Sequence, residues 1–226
     1  MKVVLLHAFP LDERMWEPQR DTLAEHDVVA PNLYDLGGNS IDAWAGRILD
    51  EEPGDLVPVG ASMGGYVALA MARHAPERIR GLLLAGSRPD ADTPERRAGR
   101  ADTIKLIEEA GAEGLWENQR EKLFAGEPPG SAREMALDRD PEELVRGVEA
   151  LRGRADSSAI LPSLQVPVVF GLGAGDLFFS VEEAAASAKQ APLGRLVVFE
   201  RSRHLPNLEQ PAEFNQTLLE LLASAG

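Results

Sequence analysis

The sequence predicts an α/β protein, a mainly parallel sheet of about six strands flanked by helices, on three observations. Six short β-branched or leucine-rich runs alternate with helix-like stretches along the 226 residues. One alternation carries Gly60-Ala61-Ser62-Met63-Gly64, and the stretch from 89 to 156 departs in composition from its surroundings. Alternation of strands with helical patterns favours a parallel sheet, because parallel neighbours need a long crossover and a helix supplies it.

The runs are Val3–Leu6, Asp27–Ala30, Leu56–Val59, Ile79–Ala85, Val166–Leu172 and Arg195–Phe199. Pro58 conflicts with a central strand, since proline removes a ladder donor; the motif that follows keeps 56–59 as a strand. Met63 to Ala75 is small and apolar nearly all round, the pattern of a helix buried close to its sheet. A last amphipathic helix is expected from Pro211 to about Leu222.

Between Pro89 and Asp156, 28 of 68 residues are charged against 27% of the whole chain, and no strand-like run occurs. Thr93-Pro94-Glu95 supplies an N-cap, a first-turn proline and an acidic first turn. The expected division is a core of 1–88 and 157–226, with 89–156 inserted as a helical cap over the sheet's C-terminal edge; a charged insertion with no part in the pocket is the alternative. Leu115, Trp116, Leu123 and Phe124 would form the cap's inward face, with Trp116 also a candidate for the substrate pocket. Gly126 to Gly130, containing Pro128 and Pro129, would split the cap into two halves.

Gly60-Ala61-Ser62-Met63-Gly64 follows a strand and opens a helix, which is the nucleophile-elbow arrangement. Ser62 is the candidate nucleophile. A serine hydroxyl needs a base to accept its proton and an acid to orient that base, here in the order Ser, Asp or Glu, His. Of four histidines, His7 precedes the serine at the end of the first strand, and His26 and His74 sit in charged helix-end surroundings. His204, in the loop after the last strand run, is the candidate base. Asp176, in Gly173-Ala-Gly-Asp-Leu after the run 166–172, is the candidate acid; Asp90 and Asp92 are its rivals.

These motifs, with His7-Ala-Phe-Pro-Leu-Asp-Glu-Arg-Met-Trp16, Tyr66-Val-Ala-Leu-Ala, Ala75-Pro-Glu-Arg-Ile and His204-Leu-Pro-Asn-Leu-Glu-Gln-Pro, resemble the α/β-hydrolase superfamily. Within it the chain is similar to bacterial cofactor-free carboxylesterases and 3-oxoadipate enol-lactonase-like hydrolases, over nearly its whole length. The resemblance implies Ser62 as nucleophile, His204 as base, Asp176 as its partner, and backbone N–H groups of Phe9 and Met63 as the oxyanion hole. It implies a small-molecule ester or lactone substrate and neither metal nor organic cofactor. Carbon-carbon bond hydrolysis, lyase or cofactor-free peroxidase chemistry would use the same triad, and a non-catalytic ligand-binding relative would keep the fold. Ala8 and Arg203 stand where the family usually has glycine, Asp35 and Leu36 interrupt a usual glycine turn, and relative to the family the chain starts at a later strand.

With no cysteine, disulfides and thiolate chemistry are excluded. A formal net charge of -14 would repel phosphate backbones and anionic lipid, so neither nucleic acid nor membrane is an expected partner. Met1 leads straight into the first strand run with no signal-peptide pattern, and a cytoplasmic location is the expectation. In so acidic a chain, Arg88, Arg96, Arg97 and Arg100 cluster just after the fourth run. Arg88 is the candidate for gripping a substrate carboxylate, and exposed ion pairs with Asp92, Glu95 and Asp102 are the plainer use of the other three.

Overall fold

The computed structural model describes residues 1–226. Strands β1 (Lys2–Leu6), β2 (Asp27–Val29), β3 (Leu56–Ala61), β4 (Leu82–Ala85), β5 (Val168–Gly173) and β6 (Gly194–Phe199) form one sheet in the order β2-β1-β3-β4-β5-β6. Every neighbouring pair is parallel, as the alternation of runs predicts. Two strands are shorter at their starts than the apolar runs. Ile79 makes only an isolated bridge to Leu56, and β5 begins just after Pro167, which has no N–H to give a ladder.

Pro58 sits within β3, opposite Val4 of β1. The Leu56 carbonyl faces β4, where it accepts the Arg80 N–H at 2.9 Å, and the Ser62 N–H also points that way, to the Ala85 carbonyl at 2.7 Å. Position 58 shares this facing by the two-residue period. The β3–β4 ladder is open between the Leu56–Ile79 bridge and the Val59–Leu83 pair, so the donor that Pro58 lacks falls in that interval.

The helices are α1 (Ile41–Glu51), α2 (Met63–His74), α3 (Pro94–Leu123), α4 (Gly130–Leu137), α5 (Pro141–Gly153), α6 (Val181–Ala188), α7 (Pro206–Glu209) and α8 (Pro211–Ala225). Their starts follow capping chemistry. Ser40 caps α1, Thr93 caps α3, and Asp140 with Glu143 and Ser180 with Glu183 form capping boxes on α5 and α6. Strand alternation sorts the core into two layers. Val4, Leu6, Leu82, Leu84, Val168 and Phe170 meet α1, α2 and α6 on one face. Val3, Leu5, Val57, Leu83 and Val169 meet α8 on the other, where Phe214 lies with its ring centroid 5.9 Å from Phe199 and 6.1 Å from Trp16.

Between β4 and β5 the chain holds α3, α4 and α5 and no strand. The two ends of this segment adjoin, the Ser157 N–H donating to the Pro89 carbonyl at 2.8 Å. A break near 126–130 is present, with Pro129 at the start of α4. A second break falls inside α3 at Gly111, whose φ of 63° is a conformation that glycine adopts without a Cβ clash. The segment shares both core layers: Ile107, Leu144 and Val148 join the first, Trp116, Phe124 and Met135 the second. No helix is long and apolar enough to cross a membrane.

Candidate active site

Ser62 stands between β3 and α2 with φ 50° and ψ -110°, and no other residue except glycine has a positive φ. A non-glycine residue there stores backbone strain, so the surroundings must hold it. They do so by close backbone approach. A Cβ on Gly64 would lie 2.0 Å from the Leu6 carbonyl oxygen, and one on Gly60 would lie 2.3 Å from the Gly64 carbonyl. The Ser62 N–H binds the Ala85 carbonyl, and the Ser87 Oγ lies 2.9 Å from the Ser62 carbonyl oxygen. The turn is thereby tied to the end of β4.

His204 arrives on the loop after β6. Its backbone N–H donates to the Leu123 carbonyl at 3.1 Å, and the Arg203 guanidinium donates to the carbonyls of Glu121 and Phe124. The arginine in the usual glycine position therefore pins the loop to the end of α3. Gly86, at φ 58°, makes room for the imidazole: a Cβ there would lie 2.9 Å from the His204 ring. Gly173 at the end of β5 does the same for the loop, since a Cβ would fall 1.9 Å from the Arg203 carbonyl oxygen.

The three side chains meet. Ser62 Oγ lies 2.8 Å from His204 Nε2, and His204 Nδ1 lies 2.8 Å from Asp176 Oδ2. The other Asp176 oxygen accepts the N–H groups of Phe178 at 2.7 Å and Phe179 at 3.2 Å, which fixes the carboxylate plane. His204 is buried and the Asp176 side chain is fully covered. A neutral imidazole placed in this way donates from Nδ1 to Asp176 and leaves Nε2 to accept the serine hydroxyl proton.

The rival acids are engaged elsewhere. Asp90 binds Arg88 at 2.7 Å and Arg96 at 2.9 Å. Asp92 is buried against Arg100 at 3.1 Å and Arg154 at 2.6 Å, the latter an ion pair whose angle is not that of a hydrogen bond. His74 meets Asp42 at 2.8 Å, and His26 is exposed.

A cavity of about 360 Å³ opens over Ser62 and His204, with Phe9 on its wall. Met63 follows Ser62 as the first residue of α2, where helical N–H groups have no partner within the helix. His7 shapes the approach to Phe9 in a way the sequence alone did not reveal. It is fully buried; its Nε2 accepts the Leu33 N–H at 2.9 Å, so Nδ1 carries the proton and faces the Ala8 carbonyl at 3.2 Å. Burial lowers its pKa from 6.5 to about 4, keeping it neutral. On the far side, Gly147 of α5 lets the helix close on Phe9, a Cβ there lying 3.0 Å from the ring.

Two pocket expectations fare differently. Trp116 does not line the cavity: it is buried in the second core layer, 6.3 Å from the Phe124 ring, because its apolar surface is better covered there than beside a wet cleft. Arg88 does line it, with each guanidinium nitrogen paired, Nε to Asp90, Nη1 to the Phe178 carbonyl at 3.2 Å and Nη2 to Glu183 at 2.8 Å. Arg88 thus braces the loop whose N–H groups hold Asp176. Arg154, Gly86 and Ser87 carried no motif and were visible only once the strands were assembled.

The model of the alpha/beta hydrolase family matches residues 3–217. The chain belongs to the alpha/beta hydrolase family. The chain is similar to a pimeloyl-[acyl-carrier protein] methyl ester esterase from Aromatoleum aromaticum, 29% identical over 93% of this chain and 94% of the relative. A 2-hydroxy-6-oxononadienedioate/2-hydroxy-6-oxononatrienedioate hydrolase from a Pseudomonas species is 30% identical over 73% of this chain and 62% of its own length. Among solved structures, a thermophilic esterase from Thermogutta terrifontis with malate bound superposes with a TM-score of 0.92 at 30% identity, covering 100% of this chain and 90% of that one.

Proposed function

We propose that the protein hydrolyses carboxylic esters or lactones through a Ser62–His204–Asp176 triad and an acyl-enzyme. The observation that carries this reading is the unbroken hydrogen-bonded chain from Ser62 Oγ through His204 to Asp176, at 2.8 Å for each step, at the floor of a cavity. The esterase relatives support the reaction class.

In this mechanism the substrate carbonyl sits over Ser62, and His204 Nε2 takes the hydroxyl proton as Oγ attacks. The tetrahedral oxyanion is held by the N–H groups of Phe9 and Met63, each such donor supplying on the order of 3 kcal/mol in the transition state. His204 returns the proton to the leaving alcohol, then activates water against the acyl-enzyme. Asp176 stabilises the imidazolium throughout. His7, held neutral, fixes the peptide that leads to Phe9.

Ser62→Ala is expected to remove nearly all ester turnover and all labelling by a fluorophosphonate probe, with the melting temperature little changed. Retention of more than roughly a tenth of the parent rate would remove Ser62 from the nucleophile role. The Pseudomonas relative supports a second reading, carbon-carbon bond hydrolysis on the same groups. A β-diketone assayed beside an ester separates the two, the first reading requiring the ester to be the better substrate.

A further inference from the structure

The protein carries a formal charge of -14, yet Arg88, Arg96, Arg100, Lys122 and Arg154 line the cavity over Ser62, with Asp92 as the one acid on its wall. Counting also Asp90, which pairs with Arg88 and Arg96, Glu183, which pairs with Arg88, and Asp176 behind His204, the five cations still exceed the four acids by one. Their donors are not all engaged. Arg100 uses Nε alone, on Asp92, so both terminal nitrogens of its fork are open. Lys122 meets no acid, only the Asn118 amide oxygen at 2.9 Å. Arg154, 4% exposed, is by contrast neutralised by Asp92 at 2.6 Å and belongs to the wall.

Arg154 is also rigidly placed. Its guanidinium lies 4.2 Å from the centroid of the Tyr66 ring and donates to the carbonyls of Leu151 and Asp90, both at 3.1 Å. An anionic oxygen in the cavity would meet the open Arg100 fork and the Lys122 ammonium through charge-assisted hydrogen bonds. Low-dielectric walls around a cavity focus such an excess of one sign on whatever enters.

Resting on the ester-hydrolase reading above, we propose that the substrate is an anionic ester, bearing a carboxylate that Arg100 and Lys122 hold while its ester carbonyl lies over Ser62. Arg88, fully paired, braces the wall and does not grip the ligand.

Monomethyl adipate, with one free carboxylate, and its neutral dimethyl ester provide the test. Kinetics are measured on the parent, and binding by calorimetry on the Ser62→Ala protein, which separates recognition from turnover. The anionic ester is expected to have a Kd and a KM about tenfold or more lower than the neutral one. Arg100→Gln and Lys122→Gln should each narrow that ratio, with Arg100→Lys retaining more of it than Arg100→Gln; Lys122 has no acid partner to lose, so its variant guards against a folding defect. Equal Kd values for the two esters in the Ser62→Ala protein, or a preference that survives in both glutamine variants, overturn the proposal. If the parent hydrolyses both esters equally and the Ser62→Ala protein binds them equally, the anionic-substrate inference falls and the triad reading stands. If the parent cleaves neither ester and Ser62 takes no fluorophosphonate label while the preference in binding holds, the triad reading falls and the site stands.

Discussion

At the scale of single residues, the choice among the chain's acids rests on contacts that only folding creates. Asp176, Asp90 and Asp92 all follow strand ends in the sequence, but Asp176 alone meets His204, while Asp92 is buried between two arginines. Asp176→Asn is expected to lower kcat by several orders of magnitude with the melting temperature nearly kept, as loss of the orienting acid does in triads. Asp92→Asn should do the opposite, costing about 3–5 kcal/mol of stability because Arg154 is left as a buried charge without its partner. Paired kinetics and thermal unfolding of the two variants check the ranking.

His7 makes a pH prediction whose sign follows from its depressed pKa. The unfolded chain binds a proton near 6.5 and the folded one only near about 4, so stability is complete above the first value and is lost as pH falls toward the second. Nearby Asp12 and Arg139 act on His7 in opposite senses, leaving burial as the dominant cause. The loss should reach about 3 kcal/mol. Urea unfolding between pH 7 and about 5.5, above the unfolded pKa of the lowered carboxylates, is expected to show the start of this loss in the parent and a flatter profile in His7→Gln.

At the scale of elements, the elbow depends on absent side chains. Gly64→Ala would place a methyl group 2.0 Å from the Leu6 carbonyl oxygen, backbone against backbone, with no flexible side chain to yield. The expected cost is about 1–3 kcal/mol or more, with loss of Ser62 labelling as α2 shifts. Gly46, inside α1, has nothing within 4 Å of the same added atom. Gly46→Ala should instead stabilise by about 0.5–1 kcal/mol, since alanine loses less backbone freedom in a helix. Thermal unfolding of the two variants should move in opposite directions.

At the scale of the molecule, we read the segment 89–156 as a cap fused to the core. Its ends adjoin at Pro89 and Ser157, but its apolar side chains complete both core layers. Replacing 94–153 by a short linker is therefore expected to abolish cooperative unfolding. Leu151, which lines the cavity from α5, allows a subtler test. Leu151→Ala should cost about 2–5 kcal/mol and shift preference toward longer acyl chains, while fluorophosphonate labelling of Ser62 persists. Relative rates on esters of graded length, beside the labelling rate, check this.

The sequence by itself determined the class of fold and brought Ser62 and His204 forward as candidates, while leaving Asp176, Asp90 and Asp92 in contention for the acid. Strand runs and helix patterns are local and periodic, and Gly-x-Ser-x-Gly is a local device whose small residues announce a turn. It did not determine that Pro58 is harmless, because the gap in the β3–β4 ladder depends on where Ile79 departs from its neighbour. Nor did it separate Trp116 from the pocket, or show that Arg88 braces a loop, Arg203 pins the histidine and Arg100 keeps its fork open. A side chain's neighbours there come from strands and helices tens of residues away. Only the tertiary structure decides which charges meet and which remain unpaired in the cavity.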